Sequence, residues 1–255
     1  MIQKQKMILF VIMVFIVTFG IHPTAYAMHI MEGYLAPQYC VAWDVISLPF
    51  LIWGIKCIQK LLKQNRKNIT LLAMAGAFIF VISSLKIPSV TGSCSHMTGT
   101  GLGAILFGAA PVAALGIIVL LFQAILLAHG GLTTLGANVF SMAIAGPFLS
   151  YGIYKICKKC HVNQKWSVFL AAFLGDLFTY CITSVQLAIA YPSEQGGITT
   201  SIIKFLSVFA PTQLPLAAIE GILTVIIVIM LETYAIPEMK LIGFVKEEVY
   251  HDSEQ

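Results

Sequence analysis

Apolar residues gather in six blocks separated by short polar stretches. Residues 41–62, 69–85, 136–157, 166–190 and 214–234 each form a nearly unbroken hydrophobic run. A bilayer core asks for about 20 such residues per helix, so each run predicts a transmembrane helix. The remaining block, 100–128, is interrupted by Gly108 and Pro111. It is too long for one crossing and short for two. It predicts a short or broken helix followed by a full one, which is tolerated only where protein lines a cavity. Counting that block twice, the chain reads as an all-α, polytopic helical bundle of about seven transmembrane segments. Residues 197–211 read as an interfacial or re-entrant piece ahead of the last span.

Composition excludes a soluble domain: 58% of residues are hydrophobic and 10% are charged. Nothing in the charge pattern points to nucleic acid. The charges set an orientation instead. Lys56, Lys60, Lys63, Arg66 and Lys67 surround one loop, and Lys155, Lys158, Lys159 and Lys165 another. The excess of Lys and Arg marks both loops as cytoplasmic. The first span then runs inward, the loop at 86–99 lies outside, and block 100–128 must cross an even number of times or re-enter. The tail from Pro237 is expected in the cytoplasm.

The amino terminus completes that topology. Lys4 and Lys6 precede an apolar stretch at 7–19, and Ala25-Tyr26-Ala27 offers a small-residue cleavage site. Residues 1–27 therefore read as a cleavable signal peptide, leaving an integral membrane domain at 28–255. Cleavage makes Met28 the new N-terminus and His29 its second residue. A free amine followed by His can chelate one ion through the amine, the His29 amide nitrogen and the imidazole Nδ1. Three nitrogens in a plane suit Ni(II), Cu(II) or low-spin Co(II) rather than Mg or Ca. The bland alternative is that the cut simply falls there. Loop charge places His96 on the same outer side, where it can add a fourth nitrogen. Gly92, Gly99, Gly101 and Gly103 would let the backbone fold closely around it.

Three ordered blocks then carry a resemblance. Met28-His29-Ile30-Met31-Glu32-Gly33-Tyr34-Leu35, the segment from Pro88 to Gly103, and Leu127-Ala128-His129-Gly130-Gly131-Leu132-Thr133-Thr134-Leu135-Gly136-Ala137-Asn138 are similar to signature blocks of the CbiM family. These are substrate-binding (S) components of energy-coupling-factor (ECF) cobalt transporters, with close nickel relatives. The resemblance implies a square-planar site made by the Met28 amine, the His29 amide and imidazole, and His96. It implies Co(II), or alternatively Ni(II), as transported substrate, delivered for cobalamin biosynthesis, with no organic cofactor and no chemistry on the ion. It implies a bacterial-type plasma membrane location with the mature N-terminus outside. The implied partners are a transmembrane T-component, ABC-type ATPase subunits and a small accessory membrane subunit. S-components dock through small residues on one helix. Ala73 and Ala77, with Gly76 beside them, offer such a face, although ordinary intrachain packing would use the same residues.

Other polar residues have two readings each. His129 can be a second-shell partner of the metal ligands or a helix cap. Glu32 is expected to fix the N-terminal segment rather than bind the ion. Asp176 and Glu220 lie inside apolar spans, where an acid is costly and functional; Gln186 and Thr224 are candidate partners for them. Cys157 and Cys160 read as unliganded thiols. An enzyme would need an open metal position and a base, as in His-Glu-x-x-His, and the sequence holds no such motif. It also holds no G-x-x-x-x-G-K-[ST], so energy is expected from partner ATPases.

Overall fold

The computed structural model describes residues 29–88 and 94–245. The signal peptide assigned to 1–27 and the proposed ligand Met28 lie outside the described residues. In chain order the elements are α1 (Pro37–Gln64), α2 (Asn68–Ser84), β1 (Ile87–Pro88), β2 (Cys94–Ser95), α3 (Thr100–Phe107) and α4 (Ala109–Leu127). There follow α5 (Leu135–Asn138), a π-helical stretch (Val139–Ala145), α6 (Gly146–Lys159), α7 (Gln164–Ala190), α8 (Gly197–Tyr234) and α9 (Ile236–Leu241). The two strands pair antiparallel, Ile87 with Ser95 and Pro88 with Cys94.

Among the described residues five helices are long and apolar enough to cross a membrane: α1, α4, the run Leu135–Lys159, α7 and α8. The apolar helix α2 has 17 residues, and α3 is an eight-residue half-helix. With these two the expected number of membrane segments is met.

The helices are inside-out relative to soluble ones. On α1, Val41, Val45, Leu48, Ile52 and Ile55 are each at least half exposed; at helical spacing they make one apolar stripe facing lipid. On α8, Ile219, Ile222, Ile226 and Met230 face outward, while Gln213, Ala217, Glu220, Thr224 and Val228 are buried. Close approach uses small residues: a Cβ at Gly54 of α1 would stand 2.3 Å from the Ala110 carbonyl oxygen of α4.

The broken block behaves as its sequence predicts. Gly108, at φ +88, separates α3 from α4, and Pro111 follows in the first turn of α4, where its missing N–H costs nothing. His96, just before α3, and His129, just after α4, bring their rings to 5.0 Å. The α3–α4 pair therefore returns the chain to the end from which it left.

One expectation is corrected. Residues 197–211 are not a separate interfacial piece: α8 runs unbroken for 38 residues through Pro211 and Pro215. Two side-chain hydroxyls bond the α8 backbone in this stretch. The Tyr180 hydroxyl donates to the Leu206 carbonyl, and Thr212 Oγ1 donates to the Phe209 carbonyl at 3.0 Å.

Candidate metal centre

Three histidines far apart in sequence meet at one end of the bundle. His29, His96 and His129 are 2%, 0% and 1% exposed, and one nitrogen from each lies within 4.8 Å of the others. The His29 and His96 rings stack with centroids 4.5 Å apart. The His29 and His129 rings meet edge-on at 4.4 Å.

The segment carrying His29 is held by the third sequence block. The Ile30 N–H donates to Asn138 Oδ1 at 2.8 Å. The Ile30 carbonyl accepts from Thr134 Oγ1 at 2.6 Å and from Asn138 Nδ2 at 3.0 Å. One buried amide thus satisfies both backbone groups of Ile30. Glu32 takes the expected role of fixing the segment. Its Oε2 accepts from the N–H groups of Leu132 at 2.5 Å and Thr133 at 3.1 Å, and hydrogen bonds from Thr133 hold its carboxyl below the usual range. Gly131 passes so close that a Cβ there would meet Glu32 Cα at 2.5 Å.

His129 follows Ala128, which closes α4 in the left-handed conformation at φ 46, a place usually given to Gly or Asn. The His129 N–H donates to the Gln123 carbonyl at 3.1 Å. The His129 backbone thus completes the helix end, and its ring joins the cluster.

Hydrogen bonding fixes which ring nitrogens are free. His29 Nε2 lies 3.2 Å from Met142 Sδ. A thioether can only accept, so His29 carries its proton on Nε2 and its lone pair on Nδ1. That lone pair accepts from His129 Nε2 at 2.8 Å, which leaves His129 Nδ1 bare. His96 Nδ1 donates to the Met97 carbonyl at 2.9 Å, leaving its lone pair on Nε2. His96 Nε2 and His129 Nδ1 have no hydrogen-bond partner among the described residues. Burial keeps all three rings neutral. It pushes His96 down to about 4 and His129 to about 2, and holds His29 well below its ordinary value. Neutral imidazole is the form that binds metal.

Met142 and Asn138 were not singled out from sequence. Asn138 ends the third block, and its spacing from Thr134 at i, i+4 puts both on one helix face. Met142 follows at another four residues, but it sits in the π-helical stretch Val139–Ala145, which no sequence rule located; such stretches cluster at functional sites. The two intramembrane acids do not use the partners expected of them. Gln186 donates to the Ala137 carbonyl, and Thr224 bonds the backbone of Glu220 rather than its carboxyl. The Asp176 carboxylate instead accepts from Gln213 at 2.5 Å, and Glu220 accepts from Thr98 and Gly99.

A multi-pass helical bundle with a closed cluster of neutral imidazoles defines a class: a membrane protein built to hold a borderline-soft transition metal. Comparison narrows the class. The family profile described as "Cobalt uptake substrate-specific transmembrane region" matches residues 29–238, and the chain belongs to this CbiM family. It is 66% identical over 95% of its length, and 97% of the relative's, to the cobalt transport protein CbiM of Lachnoclostridium phytofermentans. It is 51% identical to that of Nostoc sp. over 96% of this chain and 94% of the relative. Crystal structures of a transition metal transporter and of a truncated transition metal transporter align with TM-scores of 0.71 and 0.72 at 28% and 27% identity. They cover 85% and 81% of this chain and 97% and 99% of theirs.

Proposed function

We propose that this chain is the substrate-specific subunit of an ATP-driven, ECF-type importer of Co(II), supplying the ion for cobalamin biosynthesis. The signal at 1–27 is removed, and the new Met28 amine, the His29 amide nitrogen and Nδ1, and His96 Nε2 form the donor plane. The observation that carries this reading is the bare lone pair of His96 Nε2, buried against a His29 ring whose tautomer leaves Nδ1 as the second lone pair. His129 Nε2 occupies the His29 Nδ1 lone pair in the metal-free protein and would yield it to the ion; His129 is not itself one of the four donors. The N-terminus faces outward, as the lysine-rich loops require, in a bacterial-type plasma membrane.

Transport needs partners: a T-component, ATPase subunits and a small accessory membrane subunit. Ala73 and Ala77 on α2 are exposed, so their small side chains are not used for intrachain packing, which supports docking of the T-component there. The same nitrogen plane fits Ni(II), which the Irving–Williams order favours on raw affinity.

The test is metal analysis of the processed protein, co-expressed with its T-component and ATPases and offered Co(II) and Ni(II) together. Stoichiometric Co(II) is the expected result. Exclusive Ni(II) would reassign the substrate, and no bound metal would overturn the proposal.

A further inference from the structure

Glu220 lies near the middle of α8, fully buried, at a depth where a carboxylate must be satisfied by protein. It accepts three hydrogen bonds from the loop that follows His96. Thr98 N–H donates to Oε2 at 2.6 Å, and Thr98 Oγ1 and Gly99 N–H donate to Oε1 at 2.9 and 3.0 Å. Gly99, in the left-handed conformation at φ 67, is the N-cap of half-helix α3 and offers no cap of its own. Glu220 therefore caps α3 from another helix and places its charge at the positive end of the helix dipole. Seven residues earlier, on the same face of α8, Gln213 Nε2 donates to the His96 carbonyl at 3.3 Å and to Asp176 Oδ2.

The Thr98 N–H gripped by Glu220 belongs to the peptide unit between Met97 and Thr98. The carbonyl of that same unit accepts from His96 Nδ1 at 2.9 Å. In a trans peptide the N–H and C=O point in opposite directions. The carboxylate, the peptide and the imidazole thus form one line of hydrogen bonds ending at the bare Nε2 of His96. Such chains polarise each member toward the next. Metal-binding histidines commonly carry a carboxylate on the far ring nitrogen, which fixes the tautomer and strengthens the donor.

We infer that Glu220 serves as that carboxylate for His96, acting through the 97–98 peptide, with Gln213 holding the preceding carbonyl: both are positioning residues for metal binding. This rests on His96 being a metal ligand, as proposed above.

The test uses the full-length, processed protein loaded with Ni(II), whose d–d absorption reports the strength of the nitrogen donors. Glu220→Gln keeps the shape but loses the charge and sets an NH2 against the loop donors. Its Ni(II) affinity should fall roughly 10–100-fold, and the d–d band should move to longer wavelength as His96 donates less. A merely structural residue would lower the melting temperature and the bound fraction but leave the band of the bound protein in place. Gln213→Met should shift the band the same way by less, and it carries the test if Glu220→Gln does not fold. Thr98→Val keeps the hydrogen bond from the backbone N–H to Glu220 and loses only that of the hydroxyl, and it should leave the band unmoved. Wild-type affinity and band position in both Glu220→Gln and Gln213→Met would overturn the inference. Absence of Ni(II) and Co(II) binding by the unaltered protein would instead overturn the metal-site reading on which it stands.

Discussion

Gly131→Ala isolates the clamp on the amino-terminal segment. The added methyl would stand 2.5 Å from Glu32 Cα and 2.6 Å from Glu32 N, where ordinary contacts begin at 3.4 Å. Backbone cannot swing aside as a side-chain end does, so the Glu32 strand must retreat by about 1 Å, a degree of overpacking that costs about 1–3 kcal/mol. In the metal-free protein the segment can lift off and escape the clash. With metal bound it cannot, because the ion then holds His29, three residues away. The strain therefore falls on the bound state. At 1.4 kcal/mol per tenfold, affinity should drop by about 5- to 150-fold. Equilibrium dialysis with metal analysis measures the affinity, and thermal unfolding of the metal-free protein should stay close to wild type. Gly152→Ala is the control, since a Cβ there meets nothing within 4 Å. Unchanged affinity in Gly131→Ala, or a loss matched by loss of folded protein, would refute the idea that docking of residues 29–32 limits binding.

Blocking cleavage with Ala27→Glu should leave an inserted protein that binds no Co(II) or Ni(II); stoichiometric binding by the uncleaved form would remove the Met28 amine from the donor set. His96→Ala should abolish binding, whereas His129→Ala, which removes a ring packed against His29 and His96 but none of the four donors, should weaken it about 10–100-fold; the reverse order would reassign the fourth nitrogen. Ala73→Trp and Ala77→Trp should leave metal binding by the isolated subunit intact and reduce ATP-driven uptake by the complex; wild-type uptake would place the T-component elsewhere. Below its unfolded value of 6.5 the His96 ring takes a proton only in the unfolded chain, until pH reaches about 4. The unfolded state then binds more protons, so stability must fall as pH falls through that window. Melting of the metal-free protein between pH 6.5 and 4 should show this slope, and His96→Ala should flatten it by one proton.

The spans, the break at Gly108 and the meeting of the His29 and His96 segments at one end of the bundle were legible because each follows from a local property. Long apolar runs have one solution in lipid, and the lysine clusters leave both segments at the other end of the bundle. The merging of 197–211 with the last span was not legible. Pro211 and Pro215 normally end a helix, and no local signal in the sequence says that α8 continues through both. His29 and His96 stood out because signal cleavage at the expected place would leave His29 second in the chain, and His96 lies in a glycine-flanked loop. Met142 did not, because a methionine in an apolar run looks like core. Only its placement by the π-helical stretch brings sulfur within 3.2 Å of His29.

The closure of the site bears on how an ion gets in. All three imidazoles are almost wholly buried, so an ion reaches them only if one of the segments around the cluster moves. The two main segments are held differently. Residues 32 and 33 are held by exposed bonds, with Leu132 and Thr133 N–H on the Glu32 carboxylate and the Gly33 N–H on the Thr133 hydroxyl, which water can replace at small cost, so that Ile30 is left with only the buried side chains of Asn138 and Thr134. The His96 loop is held by Glu220 and Gln213 from the middle of α8, where no water waits to take over a broken bond. Opening should therefore start at the amino-terminal segment, with His96 kept in place as the fixed half of the site. Hydrogen exchange of the metal-free protein should show the amide of Ile30 exchanging well before that of Thr98, and binding of Co(II) should slow Ile30 far more than Thr98. Equal protection of the two amides, or faster exchange at Thr98, would mean that the His96 loop is the part that opens.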